Sequence, residues 1–261
     1  MNHKHNTALE IKSEDIPLYK KLGFRPQTTQ VFYAKAIVSF FKKVAVRQPD
    51  EGQALRTELS LFTQFMENER FTSWEECQKN VWEKLLTFSY IDLDYEQTQS
   101  KAQSFYKTIL DLARWLDEHE KHDFLFASGV EAVEAKYQEE VLSAIRVLEI
   151  YRGKVENPFL TGYEDIRRET LLDEVGSQRT SEGVFEIVDL LDETMELKSL
   201  LTKKTFTVHV SKLIANDVHL GTTFIGVLNE AYPNQWEILT LDRVFPPTAK
   251  SYLYKNIGIK I

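Results

Sequence analysis

Apolar residues recur along this chain with two different periods, and the change from one to the other falls near residue 183. Up to there the period is helical. From Thr29 to Arg47, residues Val31, Ala34, Val38, Phe41 and Ala45 form one stripe that Phe40 and Val44 widen, and Ala54 to Glu69 repeats the pattern with Leu55, Leu59, Phe62, Phe65 and Met66. Ser73 followed by Glu76 predicts a capping box opening a third helix through Trp74, Val81, Leu85 and Phe88. Tyr95, Thr98, Ala102, Phe105, Ile109, Leu112 and Leu116 make the clearest seam of all. Its expected antiparallel partner, Ser128 to Arg152, carries Val130, Val133, Tyr137, Val141, Ala144, Leu148 and Tyr151, opened by Ser128 with Glu131 and closed by Gly153.

Beyond Gly183 the period becomes two, the alternation of a half-buried strand. Phe206, Val208 and Val210 oppose Thr205, Thr207 and His209; Met195 and Leu197 oppose Glu196 and Lys198; Trp236 to Leu241 alternates as well. Val184 to Leu190 and Thr222 to Leu228 are apolar on both faces, which predicts strands covered on both sides. Gly226 inside the second marks a sharp bend or the close approach of another backbone. Short connections predict an antiparallel meander, and Pro246-Pro247 stops the last strand. The expected fold class is α+β: an all-α bundle followed by a small five-stranded antiparallel β barrel, SH3-like or OB-like. The divisions fall at 1–26 (a basic arm), 27–153 (the bundle), 154–182 (a linker with a short helix at Tyr163 to Val175) and 183–261 (the barrel).

Composition places this pattern in an ordinary globular chain, 43% hydrophobic and 28% charged. The charge is uneven. Residues 1–50 hold nine Lys and Arg against four Asp and Glu, residues 51–182 fifteen against twenty-seven, and residues 183–261 eight against nine, which sums to the net −8. An acidic middle disfavours unspecific binding to phosphate backbones. One cysteine, Cys77, excludes an intrachain disulfide and fits a reducing cytoplasm. No apolar run approaches a membrane span and no signal-peptide core opens the chain, so a cytoplasmic location with no membrane partner is expected.

Phe105-Tyr106-Lys107-Thr108-Ile109-Leu110-Asp111-Leu112-Ala113-Arg114-Trp115-Leu116, preceded by Leu61-Phe62-Thr63-Gln64-Phe65, resembles the helical core-binding domain of tyrosine recombinases. The resemblance covers about 60 residues and implies a small helical domain, which in that family wraps DNA. No Arg, His-x-x-Arg and Tyr set follows it, so it implies no recombinase chemistry. Helices followed by Phe185-Glu186-Ile187, Thr205 to Val210, Leu220-Gly221 and Trp236-Glu237-Ile238 in a small barrel also resemble uncharacterised bacterial proteins, a likeness of architecture.

Candidate chemistry is sparse. His119 and His122 sit three apart, half of a zinc or nickel site, against the simpler reading of cationic groups at a helix end. Cys77, one turn past a helix start, would have its thiol pKa lowered slightly by the dipole, yet no base is marked for it. There is no Gly-x-Ser-x-Gly turn and no glycine-rich phosphate loop, so no catalytic residue, resident metal or cofactor is implied. Lys42, Lys43 and Arg47 on a helix, with Lys203, Lys204, Tyr232 and Trp236 on the barrel, are the candidate nucleic-acid contacts, since small barrels bind single strands by stacking bases beside a basic groove. Phe224, Ile225, Val227 and Leu228, apolar on both sides of one strand, are the candidate interface for a protein partner or a second copy. The sequence therefore favours a non-enzymatic binding or regulatory module, with nucleic-acid association and an enzyme site between domains as the alternatives.

Overall fold

The computed structural model describes residues 16–24, 31–47, 52–94, 96–120, 125–153, 179–191 and 193–258. They form a helical N-terminal region and a five-stranded C-terminal sheet of mixed direction. The chain divides into two compact units. The first comprises residues 1–93 and 103–135, and the second residues 94–102 and 136–261.

The first unit contains α1 (Ile16–Lys21), α2 (Phe32–Arg47), α3 (Gly52–Glu69), a single 3-10 turn (Trp74–Glu76), α4 (Lys79–Lys84), a π-helical turn (Leu85–Ser89) and α5 (Tyr90–Leu93), with most of α6 (Gln99–His119) and the start of α7 (Phe126–Gly153). Gly23 ends the first helical turn at φ +84°, a conformation that glycine adopts without strain. Aromatic rings fill the interior: Trp82 stacks on Phe62 at 6.2 Å and meets Phe126 edge-on at 5.7 Å, while Tyr90 stacks on Phe105 at 4.6 Å. The tyrosine hydroxyl of Tyr106 donates to the Leu86 carbonyl, 3.1 Å away, within the π-helical turn.

Both expected capping boxes are rearranged. Ser73 makes no side-chain cap; Glu76 accepts instead from the Thr72 amide and hydroxyl at 2.9 and 2.8 Å, and only one 3-10 turn forms before α4 restarts at Lys79. Helix α7 begins at Phe126 rather than Ser128. Asp117 of α6 accepts from the amides of Phe126 and Ala127 at 2.7 and 2.9 Å, so a side chain from the preceding helix satisfies the orphan donors. Glu131, freed from capping, accepts from Arg114 at 2.9 Å.

The second unit holds β1 (Thr180–Leu191), β2 (Thr194–Ser199), β3 (Thr205–His209), α8 (Lys212–Asp217), β4 (Thr223–Tyr232), β5 (Gln235–Phe245), a 3-10 turn (Pro247–Ala249) and α9 (Lys250–Asn256). All five expected strands form, but the meander does not. The pairings run β1-β2-β3-β5-β4 and return to β1, with β3 and β5 parallel through Val208 and Trp236. The purely antiparallel expectation fails because α8 separates β3 from β4. This leaves β4 to pair with β1 and β5 to come alongside β3. Strand β1 is long enough to serve two partners, β4 through Thr180–Glu186 and β2 through Phe185–Leu191.

Gly226 is required where β4 bends against β5: a Cβ there would lie 2.2 Å from the Thr240 carbonyl oxygen, between two register shifts. Inside the strands lies a core of Phe185, Ile187, Met195, Leu197, Phe206, Val208, Phe224 and Leu228, joined by Ala144, Val147 and Leu148 of α7. Burying Val147 and Leu148 contributes about 1.5–3 kcal/mol each. Tyr151, on the same helix, donates to the carbonyls of Ile238, at 3.0 Å, and Leu239. Around them Gln99 holds Glu149 at 3.1 Å, and Arg146 reaches Gln99 and Asp217. Among the described residues no helix is long and apolar enough to cross a membrane.

Candidate functional site

One surface feature that departs from simple alternation is in β1. Its register with β2 shifts between Ile187 and Asp189, leaving Val188 as an extra residue. Before the bulge Phe185 and Ile187 enter the core while Val184, also buried, and Glu186 take the other face; after it, Asp189 lies opposite Glu196, Leu190 opposite Met195 and Leu191 opposite Thr194. Val188 and Asp189 are consequently both exposed, and Leu191 follows them on the outside. Val188 is 37% exposed and Leu191 67%. Asp189 and Glu196 are carboxylates directly opposed across two strands, a pairing that destabilises an isolated hairpin.

Register places further groups at the same rim. Leu190, Met195, Val208 and Trp236 are successive neighbours across β1, β2, β3 and β5, so the β1–β2 turn, the end of β3 and the start of β5 share one end of the sheet. The Val210 amide donates to the Glu193 carbonyl at 2.9 Å. Beside them the β4–β5 turn holds Tyr232, 70% exposed, with Asn234 at φ +63° donating its amide to Glu230 at 2.9 Å. Carboxylates outnumber cations here. Asp189, Glu193 and Glu196 are exposed; Lys212 lies 3.6 Å from Glu193, and Arg179 lies 3.8 Å from Glu230.

The nucleic-acid candidates are not assembled in the way their sequence positions suggest. Trp236 is half-buried, edge-on to Phe206 at 4.9 Å, and belongs to the border of the core. Lys203 and Lys204 are exposed on the β2–β3 turn, at the far end of β3; Lys204 is four positions before Val208, the partner of Trp236, about 13 Å along the chain. Lys42 and Lys43 are exposed on α2 in the first unit, with Lys43 at 3.8 Å from Glu118; the Arg47 side chain lies outside the described residues.

The candidate interface residues divide by parity. Phe224 and Leu228 point into the strand-lined core, Val227 is 1% exposed on the other face, and Ile225 is half-buried. The exposed large apolar side chains described in the second unit are Val188 and Leu191 on β1, with Leu201, Leu220 and Tyr232 at turns.

His119 is exposed and stacks on Trp115 at 4.4 Å, with its Nδ1 at 2.8 Å from the Trp115 carbonyl; His122 lies outside the described residues. Cys77 differs from the dipole expectation. It is fully buried beyond a 3-10 turn, and burial first, then the charges of Glu76 and Glu75, push its thiol up to about 12. One further cluster lies earlier on β1, before the bulge: Glu186 accepts from Lys250 and, at 2.8 Å, from the Tyr254 hydroxyl, whose pKa is raised by burial and by that bond. It fastens α9 to the sheet.

Sequence reasoning did not find the β1 rim. The available signal was the adjacent pair Ile187-Val188 followed by Asp189, where alternation breaks. No protein family, curated protein or solved structure matches this chain.

Proposed function

We propose that the chain is a non-enzymatic binding protein of the cytoplasm, that its second unit is a small barrel of the OB type, and that the outer face of the β1–β2 hairpin recognises a protein segment combining apolar and cationic side chains. The OB reading draws support from the strand order and from the narrow parallel link between β3 and β5, which suits a partly open five-stranded barrel.

The observation that carries the binding proposal is the bulge at Val188. It turns Val188 and Asp189 outward together, beside Leu191 and Glu196, at a cost in hairpin stability that a partner's cation would offset. The same carboxylates repel a phosphate backbone, which argues against nucleic acid at this face. The lone thiol of Cys77 supports a reducing compartment.

A photo-crosslinker placed at Thr194, on the edge of the face, tests the reading in the producing cells. A discrete protein adduct is expected, reduced about tenfold by Leu191→Asp and by Asp189→Lys and unchanged by Lys203→Glu with Lys204→Glu. An adduct with nucleic acid, or a protein adduct indifferent to Leu191 and Asp189, rejects the proposal.

A further inference from the structure

The first unit carries a surface whose composition is opposite to that of the barrel rim. From Ile16 to Pro49 the chain contains seven Lys and Arg and no Asp or Glu, within a protein of net charge −8. Helix α2 accounts for the arrangement. Its apolar side is spent on the interior, with Tyr33, Ala34, Ile37, Phe40 and Phe41 buried, and the exposed positions described on it are Lys35, Lys42 and Lys43 alone.

Seven residues are two turns, so Lys35 and Lys42 lie on one line, about 10.5 Å apart along the axis, with Lys43 one step round from it. Helix α1 packs against α2, and its Lys20 and Lys21 are exposed as well. Glu118 approaches Lys43 to 3.8 Å, but both side chains are exposed, and a surface pair of that kind neutralises little.

We propose that this lysine face binds the phosphate backbone of a nucleic-acid duplex. A duplex presents one negative charge per ~1.7 Å of its axis, so cations spaced along α2 meet phosphates without any inserted group. An anionic membrane is the less suitable polyanion. A helix lying in a bilayer surface buries its apolar side in lipid, whereas α2 buries that side in the protein. Ile16 is the one large apolar side chain exposed on the described parts of α1 and α2.

The exposed side chains described on α2 are all lysines, which meet phosphates as point charges, so binding through them is indifferent to sequence. The inference is independent of the β1 rim, since it concerns another unit and another chemistry.

The test uses the full chain with a fluorescein-labelled DNA duplex, followed by anisotropy as salt is raised. If Lys20, Lys21, Lys35, Lys42 and Lys43 all engage phosphates, the logarithm of the association constant falls with that of salt with a slope of about −4.5. Lys35→Glu with Lys42→Glu and Lys43→Glu should lower affinity roughly a hundredfold at low salt. Lys203→Glu with Lys204→Glu should leave it unchanged, and thermal unfolding confirms that each variant is folded. Three results overturn the proposal: no binding of the wild-type chain at low salt, binding indifferent to the α2 substitutions, or preference for phosphatidylserine vesicles over the duplex.

Discussion

Cys77 shows how far the surroundings of one residue can depart from its position in the chain. Its place after a capping pair suggests a helix start and a slightly acidic thiol, but Glu76 is drawn back to Thr72, the helix breaks, and the sulfur is enclosed. With its pKa pushed up to about 12, the folded thiol stays neutral at pH values where an unfolded cysteine, ordinarily near 8.5, has begun to ionise. The sign follows: the contribution is constant below about pH 8.5 and turns against folding as pH rises from there toward 12, because only the unfolded chain releases the proton. Native protein should therefore react slowly with a disulfide reagent at mildly alkaline pH and label once per chain in urea. Fast stoichiometric labelling of native protein would contradict the enclosed site.

Among the elements, β4 and its glycine are the most constrained. Gly226→Ala sets a methyl against the Thr240 carbonyl, which belongs to the backbone and cannot swing aside, so a loss of ~2 kcal/mol is expected. Gly52→Ala, with nothing within 4 Å of the added carbon, should be neutral or slightly stabilising. Urea unfolding of both variants checks the contrast; equal effects would mean that the bend does not need glycine.

The sequence made Gly226 legible because a glycine inside an apolar strand has few other uses. It also made the five strands legible, since each alternates over a short window. Their partners were not legible. Pairing of Val208 with Trp236 joins segments separated by a helix and another strand, and no local period records it. The β1 bulge escaped for a related reason: one inserted residue shifts the faces of every position after it, so Leu191 looks like a continuation of a buried run until its partner Thr194 is known. The capping pairs failed at the same scale, because Asp117 competes with Ser128 from a different helix.

At the scale of the whole molecule, the helix-then-strand order visible in the sequence does not coincide with the compact units. The second half of α7 belongs with the sheet: Ala144, Val147 and Leu148 lie in its core, and Tyr151 satisfies two carbonyls of β5. A fragment of residues 179–261 would expose that core and leave those carbonyls without their donor. It should lack a cooperative urea transition, whereas a fragment of residues 136–261 should show one. A cooperative transition for the shorter fragment would mean that α7 is dispensable to the sheet.

The division of the chain also bears on its synthesis. Every residue of the first unit precedes residue 136, whereas residues 94–102 group with residues 136–261, Gln99 meeting Glu149 and Arg146 of α7, and Arg146 in turn holding Asp217. As the polypeptide leaves the ribosome, the first unit can complete its core while residues 94–102 still await segments that have not been translated. The N-terminal turn of α6 is thus made early and used late, once the second half of α7 that carries Arg146 and Glu149 has been translated.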